Sequence, residues 1–235
     1  MYLTGLFGVG FILAVSFLNE VSVGTEAKIS LDVGLAGMSL IGLAVAAFVG
    51  GGLIRKEIEK RTALVLIAKP LSRAEFILGK HLGITSILIS LITIMTAIYM
   101  GVLYWRSIEF PVGSLLVSVG YLGIELSLIA AVAIMFGVFS SGLIATILTI
   151  TVYVMGHFSG NLLELSRTIE TTSLKLFIQT LYLIFPDLSR LNLKNQAVYG
   201  LLPDSHQLLM NGVYGLFYIA MILAIASFLF NRRQF

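Results

Sequence analysis

Long apolar runs constrain this chain more than any other feature of its sequence. A helix that crosses a membrane needs about 20 consecutive apolar residues, with a range of roughly 17–25. The runs here are continuously apolar and do not alternate, which favours helical spans over the strands of a membrane barrel. Six segments qualify: Tyr2–Leu18, Val33–Ile54, Leu82–Trp105, Val112–Phe139, Gly142–Phe158 and Leu208–Phe230.

The composition leads to the same class of protein. Of 235 residues, 58% are hydrophobic and 11% are charged, whereas soluble domains average about 25% charged residues. So few charges cannot cover a surface that faces water, so lipid must be the solvent. We therefore predict an all-α integral membrane protein, with residues 1–235 forming a single transmembrane domain. The chain has no cysteine, which excludes disulfides and cysteine-ligated metal sites.

The first apolar run allows two interpretations. It is short for a span, and Ala14-Val15-Ser16 is an acceptable cleavage site for a signal peptide. However, the run lacks the basic residues that begin a signal peptide. We expect a retained span.

A basic platform, Arg55–Lys80, lies between the second and third runs. It contains seven of the fifteen Lys and Arg residues. Between its charge clusters lies an apolar patch, Ala63–Ala68, that needs a surface to bury against. A contact surface for a soluble partner accounts for this patch. The alternative is an ordinary basic loop that only fixes the topology.

The platform is predicted to contain a sharp break between two helices. The residue before a proline avoids helical dihedral angles, so the first helix should stop just before Pro70. Ser72 is a good N-cap and Glu75 completes a capping box, while Leu71 and Phe76 are spaced for a hydrophobic staple. The second helix should continue from there into the third span. The result is an elbow at the membrane surface.

The distribution of Lys and Arg predicts the orientation. Nine of the fifteen lie in the platform and at the C-terminus, and six are spread over the other loops. The positive-inside rule places both regions in the cytoplasm. Six spans satisfy this arrangement, with a cytoplasmic N-terminus as well.

Glu125 is the one carboxyl group inside a predicted span that stands far from either end. An ionisable side chain in a span is a functional candidate by default, so Glu125 either lines a pathway or is a structural, hydrogen-bonded group. The histidines His81, His157 and His206 are far apart and lack metal-ligand spacing. We expect solvated or interfacial histidines and no metal site.

Small residues recur on one face of the second span. Gly42, Ala46 and Gly50 lie four residues apart, and this spacing lets helices approach closely in lipid. The alternative is that glycine is simply frequent in membrane helices. The run Gly50–Gly52 is predicted to be a soft point between the span and the platform.

The longest region without a span follows the fifth run. Within it, Leu174–Phe185 is a mainly apolar run of twelve residues closed by Pro186. This length is too short to cross a bilayer and predicts an interfacial or re-entrant segment. The region Leu174–Asn195 could gate an exit or meet an external partner. It could equally be a lid that packs spans 5 and 6 together, which we favour.

Enzymatic motifs are missing from the sequence. Gly79-Lys80-His81 contains the Gly-Lys of a phosphate-binding loop but lacks its upstream glycine and its Ser/Thr. No H-E-x-x-H or G-x-S-x-G motif is found. We therefore predict a chain that is not an enzyme, with no catalytic residues and no cofactor.

The platform resembles a segment of the permease subunits of type-2 ABC exporters. The similarity is carried by Glu59-Lys60-Arg61-Thr62, Leu66, Lys69–Phe76 and Gly79-Lys80. Phe185–Leu188 and the terminal Phe230-x-Arg232-Arg233 also resemble the family. Its members usually begin with an amphipathic segment before the first span, which this sequence does not show, so a late annotated start or a shortened member is expected.

The resemblance implies a transmembrane subunit of an ABC transporter in a bacterial inner membrane. Two permease subunits, identical or different, would form the translocation pathway, and a dimer of separate ABC-type ATPase subunits would hydrolyse ATP. No nucleic-acid partner and no particular substrate are implied. The residues expected to couple to the ATPase are Glu59, Arg61, Thr62, Leu66, Pro70, Ser72, Arg73 and Glu75. The alternative is a channel or scaffold subunit whose basic loop only anchors to anionic lipid.

Overall fold

A computed structural model describes residues 2–21, 26–59, 72–168, 175–176, 178, 180 and 185–232 of the chain. Over these residues the fold is helical and contains no strand. The elements are α1 (Tyr2–Val21), α2 (Glu26–Glu59), α3 (Arg73–Trp105), α4 (Val112–Phe139), α5 (Gly142–Thr168), a 3₁₀ turn (Leu188–Arg190), α6 (Lys194–Tyr199) and α7 (Ser205–Arg232).

Five of the described helices are long and apolar enough to cross a membrane. The spanning segments are Ala27–Leu53, Arg73–Trp105, Val112–Phe139, Gly142–Gly160 and Ser205–Arg232. In α1 the apolar stretch, Tyr2–Phe17, is shorter. Large apolar side chains such as Leu116, Leu143 and Phe217 are more than half exposed, as expected for a surface solvated by lipid. The chain is a multi-pass membrane protein.

Three helices continue beyond the apolar runs that mark the predicted spans. Between the first two runs lies the polar stretch Asn19–Asp32, into which α1 extends as far as Val21 and within which α2 begins at Glu26. Similarly, α5 runs to Thr168, beyond the apolar run that ends at Phe158. Polar residues such as Glu and Lys have good helix propensity, so a helix need not end where the hydrocarbon ends.

α4 lies at the centre of the bundle. It contacts α2, α3, α5, α6 and α7, and all nine residues Leu126–Ile134 are buried. A helix that is apolar on every side is expected to be surrounded by other elements. The helix also has the bounds predicted from the sequence.

The predicted packing face on α2 is confirmed. A Cβ built on Gly42 would lie 2.2 Å from Leu126 Cδ1, and one on Gly50 would lie 2.6 Å from Ala133 Cβ. On the neighbouring face, a Cβ on Gly51 would lie 3.2 Å from Ala145 Cβ. α2 remains helical through Gly50–Gly52, so close packing explains the first two glycines of the run better than a soft point does.

Residues 185–199, which precede α7, pack back onto both α5 and α7. Leu188 is fully buried and lies so close to α5 that a Cβ on Gly156 would be 2.7 Å from its Cγ. Leu191 packs in the same manner against Gly215 of α7. This arrangement agrees with the predicted lid over spans 5 and 6. The preceding stretch, Leu174–Phe185, lies largely outside the described residues.

Asp187 anchors this segment to α5. Its Oδ1 accepts hydrogen bonds from Ser159 Oγ at 2.8 Å and from Ser189 Oγ at 2.5 Å, and its Oδ2 accepts from Arg190 Nε at 3.1 Å. Its backbone N–H donates to the Tyr214 hydroxyl of α7 at 2.7 Å. One buried carboxylate therefore fixes the 3₁₀ turn between two spans.

Candidate functional site

The first candidate site is the beginning of α3, in the second half of the platform. Ser72 is the N-cap residue, and its Oγ accepts a hydrogen bond from the Glu75 N–H at 3.2 Å. The Ser72 N–H donates in return to Glu75 Oε2 at 2.7 Å. The predicted capping box is confirmed, and the helix continues from it into the third span.

Arg73 connects this helix start to the end of α7. Its Nη1 donates to the backbone oxygens of Phe230 at 3.1 Å and Asn231 at 2.9 Å. The rings of Phe76 and Phe230 stack with centroids 5.6 Å apart. The last carbonyls of a helix lack intrahelical partners and carry partial negative charge, which a guanidinium satisfies well. We call these contacts, from Ser72 to Phe76 with Phe230 and Asn231, the α3–α7 joint.

Of the other predicted coupling residues, only Glu59 lies among the residues that the structure describes. Glu59 is the last residue of α2. Arg61, Thr62, Leu66 and Pro70 lie outside the described residues, as do the patch Ala63–Ala68 and Leu71 of the predicted staple. Their coupling role stays a prediction.

The second candidate site is a buried polar cluster of Ser39, Glu125, Tyr153, His157 and Lys194. Glu125 lies midway along α4 and is fully buried. Its Oε1 lies 3.4 Å from His157 Nε2 on α5. The Tyr153 hydroxyl lies near the same carboxyl group but makes no hydrogen bond of standard geometry to it. The structure therefore places Glu125 among side chains of neighbouring helices, and the pathway role predicted for it remains untested.

Lys194 enters the polar cluster from α6. Its Nζ donates to Ser39 Oγ on α2 at 2.7 Å, and Ser39 Oγ lies 2.9 Å from the Tyr153 hydroxyl. Burial lowers the pKa of Lys194, while the negative charges of Glu125 and Asp32 act in the opposite direction. The cluster thus brings a cation from outside the spans to a carboxyl group at the centre of the bundle.

The Glu125–His157 contact lacks hydrogen-bond alignment. Among the described residues, no hydrogen bond of standard geometry reaches either Glu125 oxygen or His157 Nε2. A buried ionised group without such partners is strongly destabilising in lipid. The charges of neighbouring side chains must therefore help to stabilise the contact between Glu125 and His157, because hydrogen bonds do not.

The expectation for the histidines is wrong at His81. This side chain is buried, and its Nε2 donates to the backbone oxygen of Ser127 at 3.0 Å. It faces α4 because α3 begins at Arg73 and carries residue 81 into the bundle. His157 is partly buried in the polar cluster, whereas His206 is exposed near the start of α7.

Four members of the polar cluster were not identified as a site from the sequence. Tyr153 and His157 carried a signal, because residues four apart share one face of a helix. Their rings are 4.4 Å apart. Ser39 and Lys194 carried none, since serine is common in spans and residue 194 lay in a predicted outer region. No three His, Cys, Asp or Glu side chains in the described part of the chain are grouped to hold a metal ion.

Comparison of the chain with protein-family models and with curated proteins finds no match.

Proposed function

We propose that the chain is the transmembrane subunit of an ABC exporter. The observation that carries this proposal is the α3–α7 joint. It lies in the second half of the platform, whose motif resembles the coupling segment of such permeases, and it ties the platform's second helix to the last span.

The joint suits the transmission of movement. α3 is one unbroken helix of 33 residues, which is about 50 Å long at 1.5 Å per residue. The capping box fixes its first turn, and Arg73 attaches that turn to α7. A displacement of the platform would therefore move two spans together. A loop that only anchors to lipid has no need of this connection.

Six spans complete the proposed topology, with α1 as the additional span. Its 20 residues would extend about 30 Å, the thickness of the hydrocarbon core. Its inner residues Phe7, Phe11 and Val15 are buried against the bundle, and Leu6 and Leu13 face outward. With the platform and both termini in the cytoplasm, the segment around Asp187 would enter the bundle from the outer side, as a re-entrant or interfacial element.

The energy source would be a separate subunit, because the sequence has no phosphate-binding loop. Glu59 through Arg73 would contact a dimer of ABC-type ATPases, and a second permease subunit would complete the pathway. Within this segment we assign Arg73 to the α3–α7 joint and leave the direct contact to Glu59, Arg61 and the apolar patch around Leu66. The membrane would be the bacterial inner membrane.

Affinity purification from native membranes tests this function. The tagged chain should retain a stoichiometric subunit with a phosphate-binding loop, identified by mass spectrometry, and the complex should hydrolyse ATP in lipid nanodiscs. Glu59→Gln should weaken retention of that subunit at least about tenfold, since a charged contact at an interface centre is worth 1–3 kcal/mol or more.

Glu109→Gln is the matched control. This exposed carboxyl lies in the turn after α3, at the opposite end of that helix, and its removal should leave retention unchanged. Failure to retain any ATPase, combined with binding of the wild-type chain's platform to anionic lipid, would favour the channel or scaffold alternative.

A further inference from the structure

The protons of the Glu125–His157 pair can be assigned from the partners of the imidazole ring. His157 Nδ1 lies 3.1 Å from the backbone oxygen of Tyr153. A carbonyl oxygen only accepts hydrogen bonds, so Nδ1 must carry a proton. The other nitrogen, Nε2, then has a free lone pair when the ring is neutral, and this is the atom that faces Glu125 Oε1 at 3.4 Å.

An ionised Glu125 beside a neutral His157 would place two acceptor atoms face to face. In a buried setting this arrangement is strongly unfavourable, because neither atom has another hydrogen-bond partner among the described residues. One proton on either atom removes the repulsion and makes the contact attractive. We propose that Glu125 and His157 together form a binding site for a single proton inside the membrane domain, and that Lys194 tunes its affinity.

Lys194 acts on the site through its positive charge and through hydrogen bonds that lead from it to Tyr153. An ammonium group only donates, so Ser39 Oγ accepts from Lys194 and keeps its own proton, which it can donate to the Tyr153 oxygen 2.9 Å away. The Tyr153 hydroxyl is then free to point at Glu125. The positive end of this chain stabilises the ionised carboxylate and opposes proton binding.

Other charged groups surround the pair more distantly. Asp32 of α2 acts on Lys194, and Asp187 acts on His157. From α7, Tyr214 accepts the Asp187 N–H. On α3, His81 donates to the Ser127 backbone oxygen of α4, which is not part of the Glu125–His157 pair. The proton affinity of the pair is therefore set mainly by Ser39, Tyr153 and Lys194, the other members of the polar cluster.

Proton binding would couple the outer segment to the spans. His157 lies three residues before the end of the spanning segment of α5, and uptake takes one proton from water with no other bond changed. An occupied site attracts Lys194 less strongly than an empty one. Because Lys194 belongs to α6, occupancy biases how firmly the segment from Asp187 to Tyr199 is seated. The inference does not depend on the proposed transport function.

Nitrogen NMR of histidine in the full chain tests the proposal. The protein is labelled with ¹⁵N-histidine, placed in lipid nanodiscs and titrated over roughly pH 5–9, and the His157 signal is assigned by its loss in His157→Gln. Glu125→Gln should lower the His157 midpoint by at least about one pH unit, because the anion that favours the proton is removed. Lys194→Met should raise the midpoint, by a few tenths to one pH unit.

Two controls accompany these variants. Lys28→Met removes an exposed cation from α2, outside the polar cluster, and should leave the His157 midpoint unchanged. The His81 signal is an internal control, since its ring bonds to Ser127 and should respond to neither variant. A His157 midpoint that is unaffected by Glu125→Gln overturns the proposal, as does a shift of equal size in Lys28→Met.

Infrared spectroscopy keeps the test decisive if Glu125→Gln does not fold. The carbonyl stretch of a protonated carboxyl group is then followed with pH in the wild type and in His157→Gln. The proposal expects the Glu125 midpoint to differ between the two proteins by at least about one pH unit. Identical midpoints would show that the carboxyl binds its proton independently of His157.

Discussion

The α3–α7 joint and the polar cluster differ in how their hydrogen bonds are made. In the joint, Ser72 and Glu75 are three residues apart and exposed, and Arg73 donates to the end of another helix. In the polar cluster, Ser39 bonds to residues 114 and 155 positions away, and its central carboxyl is fully buried. At the joint, water can replace any lost partner. Within the bundle no water can do so, and polar side chains must find one another across helices.

The two regions should differ in how much stability the protein loses when a hydrogen-bond partner is removed. Removing a partner inside the bundle leaves another polar group buried and unsatisfied, which costs about 1–3 kcal/mol and more for a charged group. Removing a partner at the joint exposes a group that water can solvate. Substitutions inside the bundle should therefore destabilise the protein several times more than those at the joint.

Asp187→Ala should have the largest effect, lowering the free energy of unfolding by about 3 kcal/mol. The carboxylate accepts from Ser159, Ser189 and Arg190, and the buried Ser159 hydroxyl would lose this acceptor. Equilibrium unfolding in detergent micelles measures the change. Glu109→Ala is the control, because that carboxyl is exposed in a turn and should change stability by less than about 0.5 kcal/mol.

Gly50→Ala should destabilise by about 2 kcal/mol through overpacking. The new Cβ would lie 2.6 Å from Ala133 Cβ, and a methyl group on a rigid helix cannot turn away. Gly52→Ala is the matched control in the same run, since nothing lies within 4 Å of its added Cβ. It should be neutral or stabilising, because alanine favours a helix by about 1 kcal/mol over glycine. Equal losses in both variants would restore the interpretation of this run as a soft point.

The same contrast explains how far the sequence could predict the structure. The bounds of α4 and the capping box at Ser72 follow from hydrophobicity and from a spacing of three residues, both of which are local. The small-residue face around Gly50 was predicted as a face, but its partners on α4 and α5 were not. Lys194 and Ser39 are 155 positions apart and come into contact only in the assembled bundle, so no local sequence pattern predicts their contact. The extension of α2 to Glu26 was missed because the apolar pattern marks the lipid boundary and not the end of the helix.

Ser72→Ala should lower the free energy of unfolding by about 1 kcal/mol, the usual loss for an N-cap serine. It removes the acceptor of the Glu75 N–H at a position where water can partly replace it. Ser86→Ala is the matched control, because its hydroxyl is exposed and only donates to the Leu82 oxygen one turn earlier. Thermal unfolding of the two variants should differ, and the same ranking should hold for amide exchange in the first turn of α3.

Arg73→Gln should have the smallest effect on stability, a loss of a few tenths of a kcal/mol to about 1 kcal/mol. The guanidinium stabilises the carbonyl end of α7, and solvent can hydrate those oxygens when it is removed. Arg73→Lys, which keeps the positive charge, should recover part of the loss, and added salt should narrow the gap between the two variants. Unfolding measured at low and high salt tests this. A loss near that of Asp187→Ala would mean that the joint is as poorly solvated as the bundle interior. The difference between the two regions would then lie in sequence separation alone, and access of water could no longer explain it.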